Sequence, residues 1–337
     1  MTSPRVPFSV ATAVEQLDTH SYRVNLDDSY CIGSVPNGGY TASCVLAVAS
    51  QHLSPRGQPD TLTAHIDYIA RVSAAPAIVV VEDIKLGRQL STLHLTLWQD
   101  GLLPHAPWVD RSASRRVVLA YATQTDLRTF TGLSFKTGYQ ASPAAVLPPR
   151  PDLEALKRDS QGDALWFEPK TPKTLAFARS LKNWHFYLLR DGPVVPGAVD
   201  IWVRTASGEP ITQAVLPYLV DSFPYNIVTL LTAPEIRKRL QAPREGLKET
   251  LGDEARSKMW FPTVVMNLEV KKRLPEEGVE WMALRATSKL IQDGRLDLEI
   301  QALNANGDLV ALGHQVALML SLERNLAKRG TSGKSAL

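Results

Sequence analysis

The sequence holds little cysteine. Cys31 and Cys44 are its only two, too few for a disulfide framework and without the paired spacing of a zinc site, so they read as reduced thiols and no metal site is expected. An excess of charge of one sign is also lacking. Lys plus Arg number 37 against 34 for Asp plus Glu, a net charge of +3 with no long basic run, which gives no electrostatic basis for a nucleic-acid partner or an anionic membrane surface. No stretch approaches the roughly 18 consecutive apolar residues of a spanning helix. Residues 1–8 carry two prolines and one arginine with no apolar run behind them, so neither a signal peptide nor a membrane anchor is expected. The motifs of two large enzyme groups are absent as well: there is no Gly-x-Ser-x-Gly elbow for a serine nucleophile, and no glycine-rich phosphate loop.

What is present is an ordinary globular composition, 44% hydrophobic and 21% charged, over 337 residues. That length is about twice the usual domain of roughly 100–200 residues, so two domains or one duplicated unit are expected. Val10–Leu17 reads as a short helix and residues 22–31 as two short strands. The turn Pro36-Asn37-Gly38-Gly39-Tyr40 runs into a helix over Thr41–His52 that is apolar nearly all round, the pattern of a helix that something must wrap. Four strand patterns follow, Thr61–Val72, Ala77–Leu86, Leu90–Gln99 and Arg116–Asp126, with turns at Gly87 and Asp100-Gly101. The connection Leu102–Arg115 is too long for a hairpin and reads as an insertion.

Residues 127–195 are rich in proline and poor in periodicity, which reads as a linker. The earlier order then returns: a strand at Asp200–Arg204, an apolar helix over Thr212–Leu231, a polar insertion Ala233–Lys258, and strands over Phe261–Leu274, Val279–Ile291, Arg295–Leu303 and Leu309–Leu322. Setting Thr61 against Thr263 places His65 opposite Asn267, Asp67 opposite Glu269 and Arg71 opposite Arg273. A central helix wrapped by an antiparallel sheet, occurring twice, is an α+β double hot-dog. The expected units are residues 1–127, a linker 128–195, a second unit 196–323 and a polar tail 324–337.

The chain resembles the type II acyl-CoA thioesterases and the wider thioesterase-like double hot-dog superfamily. In the first half the resemblance lies in Asn37-Gly38-Gly39 opening a helix, His65-Ile66-Asp67-Tyr68-Ile69-Ala70-Arg71, Pro76-Ala77-Ile78-Val79-Val80-Val81-Glu82, Gly87-Arg88-Gln89-Leu90-Ser91 and Ala120-Tyr121-Ala122-Thr123-Gln124. In the second it lies in Ile201-Trp202-Val203-Arg204, Tyr218-Leu219-Val220-Asp221, Phe261-Pro262-Thr263 and Leu309 to Gln315. The resemblance implies a water held by Asp221 on the second central helix, Thr263 early in the following strand and Gln315 near the end of the last strand. It implies an acyl-CoA or other acyl thioester as substrate, no cofactor and a homo-oligomer. The loop 102–115, the linker and the insertion 233–258 depart from the compact bacterial forms.

Chemistry on the residues runs parallel to this. Thioester hydrolysis needs an activated water, a proton acceptor and donors for the tetrahedral oxyanion. Desolvation of Asp221 in an apolar setting would raise its pKa and make it a better base, and Gln315 on an apolar strand face needs a partner, for which Asp221 and a water are expected. Gly38 and Gly39 at a helix start would offer a backbone N–H to a carbonyl oxygen. His65, five residues after Asp60, matches the separation of a hydratase dyad but sits in a strand pattern, so it is placed near the seam between halves and kept with the substrate-binding residues. Trp108 in the inserted loop is nominated as a lid on the substrate channel. The reading is a thioester hydrolase; the alternative is a non-hydrolytic hot-dog protein that binds or transforms an acyl or polyketide-like substrate in a biosynthetic pathway. A cytoplasmic location is expected, with the peroxisome as second reading from Ser335-Ala336-Leu337, in which Ala336 replaces the usual basic residue.

Overall fold

The computed structural model describes residues 6–131, 133–134, 147–158, 162–169, 175–194, 197–224, 226–227 and 258–326. The polar insertion 233–258 and the C-terminal tripeptide lie outside these residues, apart from Lys258. The helix expected over Val10–Leu17 is instead one turn, α1 (Phe8–Ala11), followed by strand β1 (Val14–Gln16). The cause is a pairing with β2 (Ser21–Asn25), which hydrophobic periodicity does not report. A 3-10 turn at Asp28–Tyr30 and a small hairpin, β3 (Cys31–Ile32) and β4 (Val35–Pro36), lead into the central helix α2 (Gly38–Leu53). Both cysteines are free and buried, and burial pushes each thiol up to about 12.

Helix α2 is wrapped by β5 (Asp60–Tyr68), β6 (Pro76–Leu86), β7 (Ser91–Gln99) and β8 (Arg115–Thr125), each starting within one residue of its expected position. Alternation decides which face packs: Ala64 and Ile66 of β5 and Leu93, Leu95 and Leu97 of β7 turn inward with almost no exposure, while Thr63 and His65 turn outward. The small residues Ala42, Cys44 and Ala49 of α2 are completely buried beside Val45 and Val48, with strands on one side of the helix and Pro217, Tyr218 and Asp221 of the second half against its start.

Within the stretch read as a linker, α3 (Leu153–Arg158), β9 (Trp166–Phe167) and β10 (Trp184–Leu189) are built, and β9 and β10 extend the second half's sheet. Leu156, Trp166, Tyr187, Trp202 and Trp281 form a separate apolar cluster there. A proline-rich composition hides this, because the strands are short and the prolines around them interrupt any hydrophobic period. Next come β11 (Ala198–Thr205), a 3-10 turn at Gln213–Val215 and α4 (Leu216–Leu219). The helix expected over Thr212–Leu231 is broken after Leu219 and turns helical again at residues 226–227; residues 228–231 lie outside the described residues. Pro224 accounts for the break, since it lacks an N–H and disfavours helical backbone before it. Strands β12 (Met259–Trp260), β13 (Thr263–Val270), β14 (Met282–Thr287), β15 (Ile291–Gln292), β16 (Arg295–Asn304), β17 (Leu309–Leu318) and β18 (Leu320–Ser321) complete the half.

Among the described residues the two halves share one fourteen-stranded antiparallel sheet, ordered β1-β2-β6-β7-β8-β5-β13-β17-β16-β14-β11-β10-β9 with β15 beside β16. The order β2-β6-β7-β8-β5 of the first half is mirrored by β11-β14-β16-β17-β13 of the second, so the halves meet edge to edge at β5 and β13. His65 pairs with Asn267 across that seam, with Asp67 opposite Val265 and Thr63 opposite Glu269. The same His65 and Asn267 correspond when the halves are aligned, as a pseudo-two-fold axis through this pair requires.

Close packing at the second half's centre depends on Gly313 of β17, where an added Cβ would lie 2.7 Å from the Val220 side chain. Gly313→Ala is therefore expected to cost about 1–3 kcal/mol through overpacking, and Gly313→Ala combined with Val220→Ala to recover much of that loss. Thermal melts of the single and double variants check this; a single variant as stable as the parent would show that the contact yields freely.

Candidate active site

The site lies where the two halves touch. Asn37 caps α2, its Oδ1 accepting the Tyr40 N–H at 2.9 Å. Helix α4 and the turn after it approach this helix start so closely that a Cβ on Gly39 would lie 2.3 Å from the Pro217 carbonyl oxygen and 2.6 Å from Asp221 Cβ. Glycine at 39 is thus a requirement of the contact between halves. Across it the Gly39 N–H donates to Asp221 Oδ2 at 2.6 Å, an anion at a helix N-terminus.

Thr263 reaches the same carboxylate, its hydroxyl donating to Asp221 Oδ1 at 2.9 Å. A bulge in the β13–β17 pairing between Thr263 and Val265 turns Thr263 toward Asp221. Gln315 is also buried here, but its partner differs from expectation: Nε2 donates to the Val220 carbonyl oxygen at 2.7 Å, so its amide holds the peptide preceding Asp221 and leaves the carboxylate to others. Two residues outside the expected set join them. Asn37 Nδ2 donates to the Asp221 carbonyl oxygen at 3.3 Å, and the Tyr68 hydroxyl donates to the Gly38 carbonyl oxygen at 2.6 Å. Tyr68 shares the inward parity of Ala64 and Ile66 on β5, the one sign in the sequence that it faces the helix start.

Burial pushes the Asp221 carboxyl up to about 6, against the opposing pull of hydrogen bonds from the Gly39 N–H, Thr263 and Asn37. The Tyr68 phenol is raised well above its ordinary value, first by burial and then by the Asp221 charge, so it stays a donor. The arrangement offers a desolvated carboxylate that ionises near neutrality, with a hydroxyl and a helix N-terminus beside it.

The pseudo-two-fold predicts a second copy of this site, and the chain does not build it. A matching bulge in the β5–β8 pairing lies between Thr61 and Thr63, but the Thr61 hydroxyl takes a 2.8 Å hydrogen bond from Gln124 Nε2, and α2 carries no acidic residue.

Of the residues expected from sequence, Gly38, Gly39, Asp221, Thr263 and Gln315 come together. His65 and Trp108 do not. His65 is on the outer face at the seam, its Nδ1 2.7 Å from Asn267 Oδ1 and its Nε2 3.3 Å from Asp67 Oδ2. Trp108 donates its Nε1–H to Asp18 Oδ2 at 2.8 Å, beside His20 and the C-terminal end of α2. That end is about 20 Å from Gly39 at 1.5 Å rise per residue. A cavity of about 360 Å³, lined by Trp166, Asp200, Trp202 and Leu303 among others, is likewise separate from Asp221.

Residues 26–125 match the acyl-CoA thioesterase N-terminal domain and residues 153–319 the acyl-CoA thioesterase C-terminal domain. The chain is also 57% identical over 337 residues to the thioesterase-like protein TwmA of Talaromyces wortmannii, covering 98% of this chain and 97% of that protein. The chain belongs to the acyl-CoA thioesterase family. Solved structures agree on the fold of this thioesterase-family protein. Acyl-CoA thioesterase II TesB2 of Mycobacterium marinum aligns with TM-score 0.59 at 18% identity, over 94% of this chain and 98% of that one. A hot-dog protein of unknown function from Alicyclobacillus acidocaldarius aligns with TM-score 0.63 at 20% identity, over 93% and 97%. Both likenesses support the double hot-dog. No helix among the described residues is long and apolar enough to cross a membrane.

The raised Asp221 pKa has a thermodynamic signature. Its folded value near 6 lies above the reference 3.8, so between about pH 4 and 6 the folded family member binds the extra proton, and the group's contribution to stability falls as pH rises through that window. A shift of about two units corresponds to roughly 3 kcal/mol above pH 6. Asp221→Asn, which cannot ionise, is expected to melt above the parent at pH 7, with the gap shrinking toward pH 4. A gap independent of pH, from melts across that range, would contradict the assignment.

Proposed function

We propose that the chain hydrolyses an acyl thioester, with Asp221 as the base that activates water. The observation that carries this reading is the buried Asp221 carboxylate, pinned by the Gly39 N–H and the Thr263 hydroxyl and titrating near 6. At neutral pH such a carboxylate is ionised yet poorly solvated, which suits a general base. In the proposed step a water lying against Asp221 and Thr263 attacks the thioester carbonyl carbon while its proton passes to the carboxylate. The carbonyl oxygen takes up the negative charge. The Gly39 N–H is already given to Asp221, so the oxyanion is assigned to the N–H of Gly38, the first of α2 and without an intrahelical partner. Collapse of the tetrahedral intermediate breaks the C–S bond, and the departing thiolate recovers the proton from Asp221. Carboxylic acid and thiol are the products.

Gln315 acts in this scheme through the Val220 peptide, fixing the turn that presents Asp221. The substrate class is acyl-CoA or another acyl thioester, and the relative named thioesterase-like supports that class. Thiol release from a panel of acyl-CoA chain lengths is the test. Turnover is expected on at least one chain length, with Asp221→Asn lowering kcat/KM by about 10²- to 10⁴-fold, the usual weight of a general base. Acyl-CoA that binds without thiol release at any length would overturn hydrolysis in favour of a non-hydrolytic acyl-binding role. The pH profile is a second check: kcat/KM should rise with pH to a plateau above about 6. Thr263→Ala should move that midpoint upward, because it removes a hydrogen bond that favours the ionised carboxyl; a midpoint unmoved or lowered would argue against Asp221 as the titrating base.

A further inference from the structure

We propose that His20, His52 and Asp83 form a binding site for a divalent transition-metal ion at the opposite end of α2 from Asp221. The three residues come from separate elements: His20 from the turn before β2, His52 from the last turn of α2, and Asp83 from β6. Their ligand atoms all lie within 4.8 Å of one another. His52 Nε2 is 2.9 Å from Asp83 Oδ1, and His20 Nε2 is 3.4 Å from Asp83 Oδ2. Two ligands of a tetrahedral ion bound at about 2.0–2.1 Å would stand about 3.3 Å apart, which both histidine–carboxylate spacings approach.

The surroundings orient these atoms. His52 Nδ1 lies 2.9 Å from the hydroxyl of the buried Tyr22, and His20 Nδ1 lies 2.9 Å from Thr19 Oγ1. Tyr22 and Thr19 thus engage the two Nδ1 atoms while both Nε2 atoms face the one Asp83 carboxylate, so the rings are held with the same nitrogen aimed at a shared acid. The β6–β7 pairing shifts register between Asp83 and Lys85, a bulge that re-aims the Asp83 side chain. Asp18 braces the turn, its Oδ1 accepting the backbone N–H groups of His20 and Ser21 and its Oδ2 accepting Trp108 Nε1–H. The inserted loop 102–115 is thus tied to the turn that carries His20, through a tryptophan whose backbone φ of 65° is unusual for that residue.

Two imidazoles and one carboxylate suit zinc, cobalt or nickel over magnesium or calcium. His52 is nearly buried and His20 about half exposed, so water can complete the coordination from one side. The ion would tie the end of the central helix to β6 and to the turn before β2, far from the thioester chemistry.

The test uses tag-free, chelator-treated protein titrated with Zn²⁺ by calorimetry and with Co²⁺ by visible absorption. One equivalent is expected to bind, with a cobalt d–d band of low-symmetry coordination, and the melting temperature should rise at saturating Zn²⁺. Asp83→Asn and His52→Gln should abolish the band. His20→Gln, at an exposed position where folding is not at stake, should weaken zinc binding at least tenfold, while Asp221→Asn should leave it unchanged. Absence of saturable binding, or binding that survives both His20→Gln and Asp83→Asn, would overturn the proposal.

Discussion

The hydrogen bond from the Gly39 N–H to the Asp221 carboxylate is the contact on which the rest of the site depends. It joins the first half's helix to the second half's turn, and it forms only because residue 39 has no side chain to hold the Pro217 carbonyl away. Everything else of chemical interest is arranged around it. Asn37 fixes the helix start, Thr263 takes the other carboxylate oxygen, Tyr68 bonds the Gly38 carbonyl from beneath, and Gln315 fastens the peptide before Asp221. A charge buried this thoroughly is a cost to folding, and these neutral donors offset part of it without supplying a cation that would pull the carboxyl back to an ordinary acidity. The tension between stability and reactivity is therefore concentrated in one residue.

Symmetry explains why the site can be single in a duplicated fold. The pseudo-two-fold through His65 and Asn267 relates two bulged strands and two threonines, Thr61 and Thr263. One threonine meets a carboxylate, the other a glutamine amide. With no acid on α2, the first half retains the geometry of the position without its chemistry. Each half then contributes what the other lacks: the first gives a helix N-terminus, the second gives the base.

Much of this was legible in the sequence, and the reasons differ by element. The four strands β5 to β8 and the helix α2 announce themselves because a two-sided burial pattern repeats along them. The correspondence of His65 with Asn267 could be read from the aligned halves, and the structure gives it a meaning as the paired residues at the seam. Asp221 and Thr263 were found through family resemblance, since nothing local marks a threonine in a strand or an aspartate after an apolar run. The failures share a cause. β1, β9 and β10 exist through backbone pairing that hydrophobic periodicity does not report, the break after α4 is set by one proline, and the direction of the Gln315 amide depends on a carbonyl 95 residues away. Trp108 was nominated as a lid from its place in the inserted loop, yet it sits at the far end of α2; His65, placed near the seam, does lie there, but on the sheet's outer face away from Asp221.

The continuous sheet has a consequence for how the chain is made. Strand β5 needs β13 as its neighbour, yet about 200 residues separate them. At synthesis rates of roughly 5–20 residues per second, β5 emerges about 10–40 s before its partner. Through that interval the first half carries an open, unpaired edge of nine residues, Asp60–Tyr68, the kind of template that invites pairing with another nascent chain. Fusing two hot-dogs into one polypeptide secures the partner but delays it, which places the period of greatest aggregation risk on the ribosome, before the finished molecule exists.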